Sequence, residues 1–263
     1  MKKLLGVFLL SFSLVSFGST TLTNVKKNPL DNIELAKIKK SNLVIKLTKG
    51  NFFGVTSEFS ELLMEDFVEK LMTHEDDNLI LYFDSPGGSV FSLARMVSAM
   101  KASNIKFTCI ARFAASAAFS LFQYCDNRYV LFDGVIMQHN WSGGFYDEAP
   151  RIKSLYETVD SIVKDIDAPV IKRMGLTKEE FYKKINNNMW LTAAAAVKNK
   201  AADAIALNVT CDKSLIKEKI VKTISERSFF GTSTRKVRTS ACPLLTKTYP
   251  LNSNNNNNTE DEY

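Results

Sequence analysis

The stretch Leu79-Ile-Leu-Tyr-Phe-Asp-Ser-Pro-Gly-Gly-Ser89 contains an apolar run that ends in a glycine turn. A short, fully apolar run is typical of a strand covered on both faces of a parallel sheet. Pro86 excludes a helix at its end, while Gly87 and Gly88 let the backbone turn with its N–H groups facing outward. Such groups can hold a phosphate or an oxyanion, although the same turn is most often purely structural. We therefore predict a strand–turn–helix unit whose turn is a candidate site.

Strands and helices alternate on both sides of this unit. The predicted strands are 42–47, 79–83, 105–111, 129–132 and 135–137, and the predicted helices are 57–73, 89–100 and 114–122. In the first helix, apolar residues recur every four positions, at Phe59, Leu63, Phe67 and Leu71. This alternation with short connections predicts an α/β fold with right-handed crossovers.

A long helix is predicted from Asp147 onward. Its apolar positions follow a heptad-like spacing of three and four, at Ile152, Leu155, Val159, Ile162 and Ile166. This stripe packs either on another subunit or on its own domain, and the spacing does not decide between them. Pro169 is expected to kink or end the helix. Gly175 then suits a C-terminal cap, and Thr177 with Glu180 predicts a capping box for the next helix.

Both ends of the chain differ from this middle part. Residues 1–18 combine a cationic start, an apolar run and small residues at the end, which predicts a signal peptide; an uncleaved membrane anchor is the alternative. Residues 19–40 are polar and are interpreted as a linker before a domain at 41–211. The segment 212–263 is basic, then rich in Asn, and is predicted to be a disordered tail. An exported, periplasmic or secreted protein is expected.

The overall composition excludes several classes of protein. Hydrophobic residues make up 45% and charged residues 24%, which excludes a wholly disordered chain or a polytopic membrane protein. A net charge of +6 is too weak to indicate nucleic-acid binding. Four cysteines, Cys109, Cys125, Cys211 and Cys242, form no C-x-x-C motif, and their pairing is left open. No metal and no cofactor are expected.

Two residues after predicted strands could carry nucleophilic chemistry. Ser116 is the one hydroxyl within Ala114-Ala-Ser-Ala-Ala118, at a strand-to-helix junction where the helix dipole favours negative charge. His139 follows another apolar strand, and an imidazole suits proton transfer near neutral pH. The other histidine, His74, lies in a polar connection and is interpreted as a surface residue. Ser116 could instead be a helix cap, and His139 a buried structural residue.

Three motifs in this order resemble the proteolytic subunit of the Clp protease, within the crotonase-like superfamily. They are 85–89 (Ser-Pro-Gly-Gly-Ser), 114–116 (Ala-Ala-Ser) and 137–139 (Met-Gln-His), and 191–193 (Leu-Thr-Ala) with 202–203 (Ala-Asp) is similar to the family's closing segment. The resemblance covers roughly 42–209. It implies a spiral of ββα units with a protruding handle helix, formed by the heptad-like segment, and a homo-oligomer.

The resemblance also implies roles for individual residues. Ser116 is the expected nucleophile, His139 the general base, and the N–H groups of Gly88 and Ala117 the oxyanion hole. Where the family has the aspartate of its triad, this chain has Asn188. An asparagine carbonyl can fix the tautomer of the histidine but adds no charge to stabilise imidazolium. Activity is therefore expected to be weak unless another carboxylate takes this role.

Two functions from different classes follow. The first is an exported serine peptidase that cleaves peptide or protein substrates. The second is a non-catalytic relative that keeps the fold and the oligomer contacts as a scaffold or binding protein. An acyl-CoA enzyme of the crotonase type is a weaker third interpretation, since it needs no such serine and histidine. An ATP-driven unfoldase partner is not expected after export.

Overall fold

The computed structural model describes residues 40–228, 231–245 and 248–250. The strands are β1 (Lys40–Leu47), β2 (Phe52–Val55), β3 (Asn78–Ser85), β4 (Lys106–Ala115), β5 (Asn127–Gln138), β6 (Met189–Thr192), β7 (Ala204–Cys211), β8 (Lys219–Ser228), β9 (Gly231–Ser240) and β10 (Thr248–Pro250). The helices are α1 (Glu61–Thr73), α2 (Val90–Ala102), α3 (Ala117–Gln123), α4 (Ala149–Met174), α5 (Lys178–Ile185), α6 (Ala193–Lys198) and α7 (Lys213–Lys217).

Seven of the strands form one mostly parallel sheet. Its order is β1-β7-β5-β4-β3-β2, with all of these pairs parallel, and β6 runs antiparallel beside β5. The predicted α/β class is confirmed. The predicted strands 129–132 and 135–137 are parts of the single strand β5, which continues through Gly134.

The apolar run of β3 is explained by burial on both faces of the sheet. Leu81 and Phe83 belong to the main core under the helices, where the rings of Phe83 and Phe122 meet edge to face at 5.6 Å. Tyr82 points to the other face and packs with Ile110 in a second cluster. Because successive side chains of a strand alternate between faces, a strand with two covered faces is apolar throughout.

The C-terminal segment covers this second face. Residues after Asp212 form α7 and an antiparallel sheet of order β10-β9-β8, and Leu215 packs against Leu47 and Tyr82. The expectation of a disordered tail from 212 to 263 does not hold for the described residues up to 250. The segment can be polar and still be folded, because backbone hydrogen bonds between its strands and a few buried side chains hold it in place. The Asn-rich run 254–258 and the predicted signal peptide lie outside the described residues, as does nearly all of the linker.

All four cysteines are paired. Cys109 of β4 bonds Cys125 just after α3, and Cys211 at the end of β7 bonds Cys242 just after β9. The second bond therefore ties the C-terminal sheet to the main sheet. Disulfides are typical of oxidising compartments.

Removing the second disulfide should destabilise the protein. The Cys211→Ser/Cys242→Ser variant should lose about 3 to 4 kcal/mol of unfolding free energy, because the bond closes a loop with a sequence separation of 31. Urea unfolding of the oxidised wild-type protein and of the variant measures this difference. An unchanged midpoint would show that the C-terminal sheet is held without the bond.

Helix α4 has two parts with different surroundings. Val159, Ile166 and Val170 are buried, the latter two in the main core. Nearer the N-terminus, Leu155 is 38% exposed. The helix does not end at Pro169; it ends at Met174, because core packing on both sides of the proline offsets its missing N–H. Gly175 caps it at φ 69°, as predicted. No helix in the described ranges is long and apolar enough to cross a membrane.

The cap predicted for the next helix is also present. Thr177 accepts a hydrogen bond from the N–H of Glu180, and the Glu180 carboxylate accepts one from the N–H of Thr177. This reciprocal pair is the predicted capping box. It fixes the start of α5, which packs Phe181 and Ile185 into the main core.

Candidate active site

Ser116 lies at a sharp turn between β4 and α3. Its φ and ψ are 56° and −123°, a combination that non-glycine residues rarely adopt. Its N–H donates to the carbonyl of Met137 on the neighbouring strand at 2.9 Å, which fixes the turn. Ala114 and Ala115 belong to β4, so the helix starts later than the predicted 114–122. The Ser116 hydroxyl makes no capping bond to the helix, which leaves it available for chemistry.

The glycine turn after β3 is organised by Ser85. This side chain is fully buried, and its hydroxyl donates to the carbonyl of Ser57 at 2.5 Å. The same oxygen accepts the N–H of Gly87 at 3.2 Å. Ser85 had no predicted role of its own beyond its place in the motif 85–89. The position of Ser85 two residues before a glycine could have indicated this contact, because serine hydroxyls often form hydrogen bonds with the backbone two residues further on.

The turn also leaves a backbone N–H group unused. The Phe59 N–H donates to the Gly87 carbonyl at 2.7 Å, and the Phe59 carbonyl accepts the N–H of Ser89 at 2.9 Å. Neither of these hydrogen bonds uses the N–H of Gly88. Ala117 is the first residue of α3, where a helical N–H has no carbonyl partner within the helix. These are the two donors predicted for an oxyanion hole, and both line one small cavity with Ser116.

At Gly87 the turn lies in close contact with the backbone around Ser116. A Cβ at this position would lie 2.5 Å from the carbonyl oxygen of Ala115 and 2.7 Å from the nitrogen of Ala117. Its φ of 92° is also unfavourable for other residues. Only glycine allows this close approach.

His139 follows β5 and is half-buried beside the same turn. Gln138 supports it: the Gln138 side-chain carbonyl accepts the N–H of His139 at 3.3 Å, and its amide donates to Ser120 at 2.9 Å. Ser116, His139 and Gly88 line one cleft of about 430 Å³. The structure thus brings together the predicted nucleophile, base and oxyanion turn. His74, by contrast, ends α1 and its ring bonds the Asn78 carbonyl.

Asn188 is placed differently from the other predicted residues. It lies in the turn between α5 and β6, where its φ of 56° suits asparagine, and its side chain is exposed. In the described part of the chain, no hydrogen bond joins its amide group to His139 or to another residue, and it does not line the cleft. Its role in orienting His139 stays a prediction.

A buried carboxylate shares a cavity with Ser116 and His139. Asp167 of α4 is 1% exposed and lines a small cavity of about 30 Å³ together with Ser116 and His139. Its Oδ2 accepts the Tyr182 hydroxyl at 3.3 Å, and its Oδ1 has no partner. Burial raises the pKa of Asp167 to about 7, against the smaller effect of the Tyr182 bond. No sequence signal pointed to Asp167, because it lies outside the apolar stripe predicted for this helix.

The C-terminal sheet reaches the end of β3 from the other side. Lys222 of β8 donates to the Thr56 hydroxyl at 3.2 Å, and burial lowers the pKa of this lysine. Burial likewise raises the pKa of Asp84, the residue before Ser85.

Within the ranges the structure describes, no group of three His, Cys, Asp or Glu residues could hold a metal ion. The arrangement suits acyl transfer by a serine nucleophile.

Comparison with known proteins agrees with this geometry. A family model described as Clp protease matches residues 37–208, well over half of the chain. Among solved structures, a mutant of ClpP1 from Listeria monocytogenes is similar, with a TM-score of 0.55 and 18% sequence identity. The match covers 61% of this chain and 93% of that one. At this identity the likeness shows the fold, including the spiral α/β architecture expected from the sequence.

Proposed function

Since the chain belongs to the Clp protease family, whose members have a serine peptidase-type function, we propose that it is an exported serine endopeptidase that uses Ser116 and His139. The observation that carries the proposal is the turn at Ser116. The Ser116 hydroxyl makes no capping bond, and Ser116 lines the same cavities as His139, Gly88 and Ala117, which supports this proposal. These are the groups that acyl transfer requires.

The proposed reaction follows from these positions. The Ser116 oxygen attacks the peptide carbonyl carbon while His139 takes the hydroxyl proton. The carbonyl oxygen becomes an oxyanion that accepts hydrogen bonds from Gly88 and Ala117. The C–N bond then breaks as His139 returns the proton to the leaving amine. Water hydrolyses the ester on Ser116 by the same steps, which regenerates the enzyme.

Labelling with a fluorophosphonate tests the nucleophile directly. The reagent should modify Ser116 in the wild-type protein, because only an activated serine reacts, and peptide mass spectrometry locates the adduct. Ser116→Ala should give no adduct. Absence of labelling in a folded wild-type protein would overturn the peptidase proposal.

One observation favours the second candidate, a non-catalytic scaffold or binding protein. Asn188 stands where the family has its aspartate, and its exposed side chain does not contact His139 in the described structure. A protein that had lost catalysis would keep the fold without this contact. Failure of the labelling experiment, with the fold intact, would support this candidate.

We propose that the protein is a homo-oligomer, as Clp protease family members typically are. The exposed N-terminal part of α4, which includes Leu155, offers an unpaired apolar surface. Leu155→Asp should therefore dissociate the assembly, which light scattering of the purified protein would measure. Val159 suits this test less well, because it is buried within its own chain at 3% exposure.

A matched control separates the interface from general damage. Ser161→Asp places the same charge on an exposed position of the same helix, away from the apolar stripe, and should leave the oligomer unchanged. A wild-type protein that is monomeric at all concentrations would contradict the proposal.

Export is proposed on the basis of residues 1–18 and agrees with the two disulfides. The exported protein should then begin near residue 19, which N-terminal sequencing would determine. A product that starts at Met1 in the membrane fraction would indicate an anchor instead. Peptide or protein substrates are proposed, without an ATP-driven unfoldase, and without nucleic acid, metal or cofactor.

A further inference from the structure

Asp167 occupies an apolar position of α4. The side chains of Val163, Ile166 and Val170 surround it on the same helix, and Ile166 and Val170 are buried in the main core. Asp167 is as buried as they are, but only one of its carboxylate oxygens has a hydrogen-bond partner. An apolar residue of similar size would satisfy this position better, because an unpaired buried carboxylate is costly.

Asp167 lines two cavities close to the proposed reaction centre. The cavity of about 30 Å³ next to Ser116 is lined mostly by apolar and small residues, and its larger polar side chains are Gln138, His139 and Asp167. Asp167 and His139 also line a larger cavity of about 710 Å³. The larger cavity has a volume typical of small-ligand sites and can therefore receive a long side chain. Asp167 and His139 thus lie on the boundary between the cavity that Ser116 lines and the larger cavity that could receive a substrate side chain.

We propose that Asp167 is a specificity-determining residue that selects substrates with a lysine or arginine on the acyl side of the cleaved bond. This inference rests on the proposed peptidase function and deepens it. The cationic group would pair with the free Oδ1 and so supply the missing partner of the carboxylate. In serine peptidases, a carboxylate in the pocket that receives the acyl-side residue selects basic side chains by this chemistry.

The proposal predicts a dependence on pH. Burial raises the pKa of Asp167 to about 7, so the carboxyl is largely protonated below that pH and ionised above it. The preference for a cationic side chain should therefore grow as the pH rises from 6 to 8. Other titratable groups facing these cavities are His139, Tyr156, Asp160, Lys164, Lys178 and Tyr182. Among them, Asp160 and Lys164 form an ion pair with each other.

Two quenched peptides that differ only in lysine or norleucine at the acyl-side position test the proposal. The ratio of their kcat/KM values cancels the ionisation of His139, which affects both peptides equally. We expect the wild-type enzyme to favour lysine by at least about tenfold at pH 8 and by less at pH 6. Asp167→Asn keeps an acceptor for Tyr182 and should bring the ratio close to one at every pH. Asp165→Asn, which removes an exposed carboxylate from the same helix, should leave the ratio unchanged.

Any of the following results would overturn the proposal that Asp167 selects basic side chains. An equal loss of turnover for both peptides in Asp167→Asn would mean that Asp167 acts on His139 rather than on the substrate. A wild-type ratio near one would mean that the pocket does not select charge. If the protein hydrolyses neither peptide, fluorescence anisotropy of labelled copies of both peptides replaces turnover. Equal affinities in that assay would also overturn the inference, independently of the peptidase proposal.

Discussion

Peptide hydrolysis should fall by about 10⁶-fold when Ser116 is replaced by alanine. This replacement removes the attacking oxygen of the proposed mechanism, and with it the atom that forms the ester intermediate. His139→Ala should cost a similar factor, because a hydroxyl without a base to take its proton is a weak nucleophile. The residual rate comes from binding and from the oxyanion hole. Steady-state hydrolysis of a quenched peptide by the purified variants gives these factors.

The double variant makes this test sharper. Ser116 and His139 act on the same step, so Ser116→Ala/His139→Ala should be no slower than the worse single variant. His74→Ala is the matched control, since this histidine ends α1, outside the cleft, and its loss should leave turnover unchanged. Multiplying losses in the double variant would mean that the two residues act independently, which contradicts the proposed mechanism.

The sequence could predict most of this site for a definite reason. Ser116 and His139 both follow strands, and β4 and β5 are neighbouring parallel strands, so their carboxyl ends meet at one edge. The turn with Gly87 and Gly88 follows β3, the next strand of the sheet. Motifs at strand ends therefore converge once the strand order is known. The supporting contacts of Gln138 with Ser120 and with the His139 N–H depend on side-chain positions that no spacing rule supplies.

Other features depended on packing that the sequence does not display. The chain passes through Pro169 as a helix because Ile166 and Val170 are held in the core. The C-terminal strands are polar, and their stability comes from pairing with each other and from the bond between Cys211 and Cys242. Composition therefore predicted disorder where tertiary contacts impose order. Asp167 was overlooked for the same reason, because only its burial distinguishes it from the exposed acids of α4.

Gly87→Ala should reduce peptide turnover by about 10² to 10³-fold. The new methyl group would lie 2.5 Å from the Ala115 carbonyl oxygen and 2.7 Å from the Ala117 nitrogen, both backbone atoms that cannot move freely. The turn must therefore shift away from Ser116. Since one oxyanion donor belongs to this turn and the other is the Ala117 N–H itself, the shift spoils the hole. The loss should appear in kcat, because the oxyanion exists only in the transition state and the intermediates.

Gly50→Ala separates this effect from simple backbone strain. Gly50 has a comparable φ of 106°, but a Cβ there would meet nothing within 4 Å. Its replacement should lower stability by about 1 kcal/mol through the unfavourable φ and leave kcat unchanged. Urea unfolding and turnover measured on both variants therefore distinguish the two causes. The contrary result is a Gly87→Ala variant that loses only the stability that Gly50→Ala loses and keeps the wild-type kcat. That result would mean that the glycine turn is not part of the oxyanion hole. The second N–H donor, beside that of Ala117, would then have to come from elsewhere in the cleft.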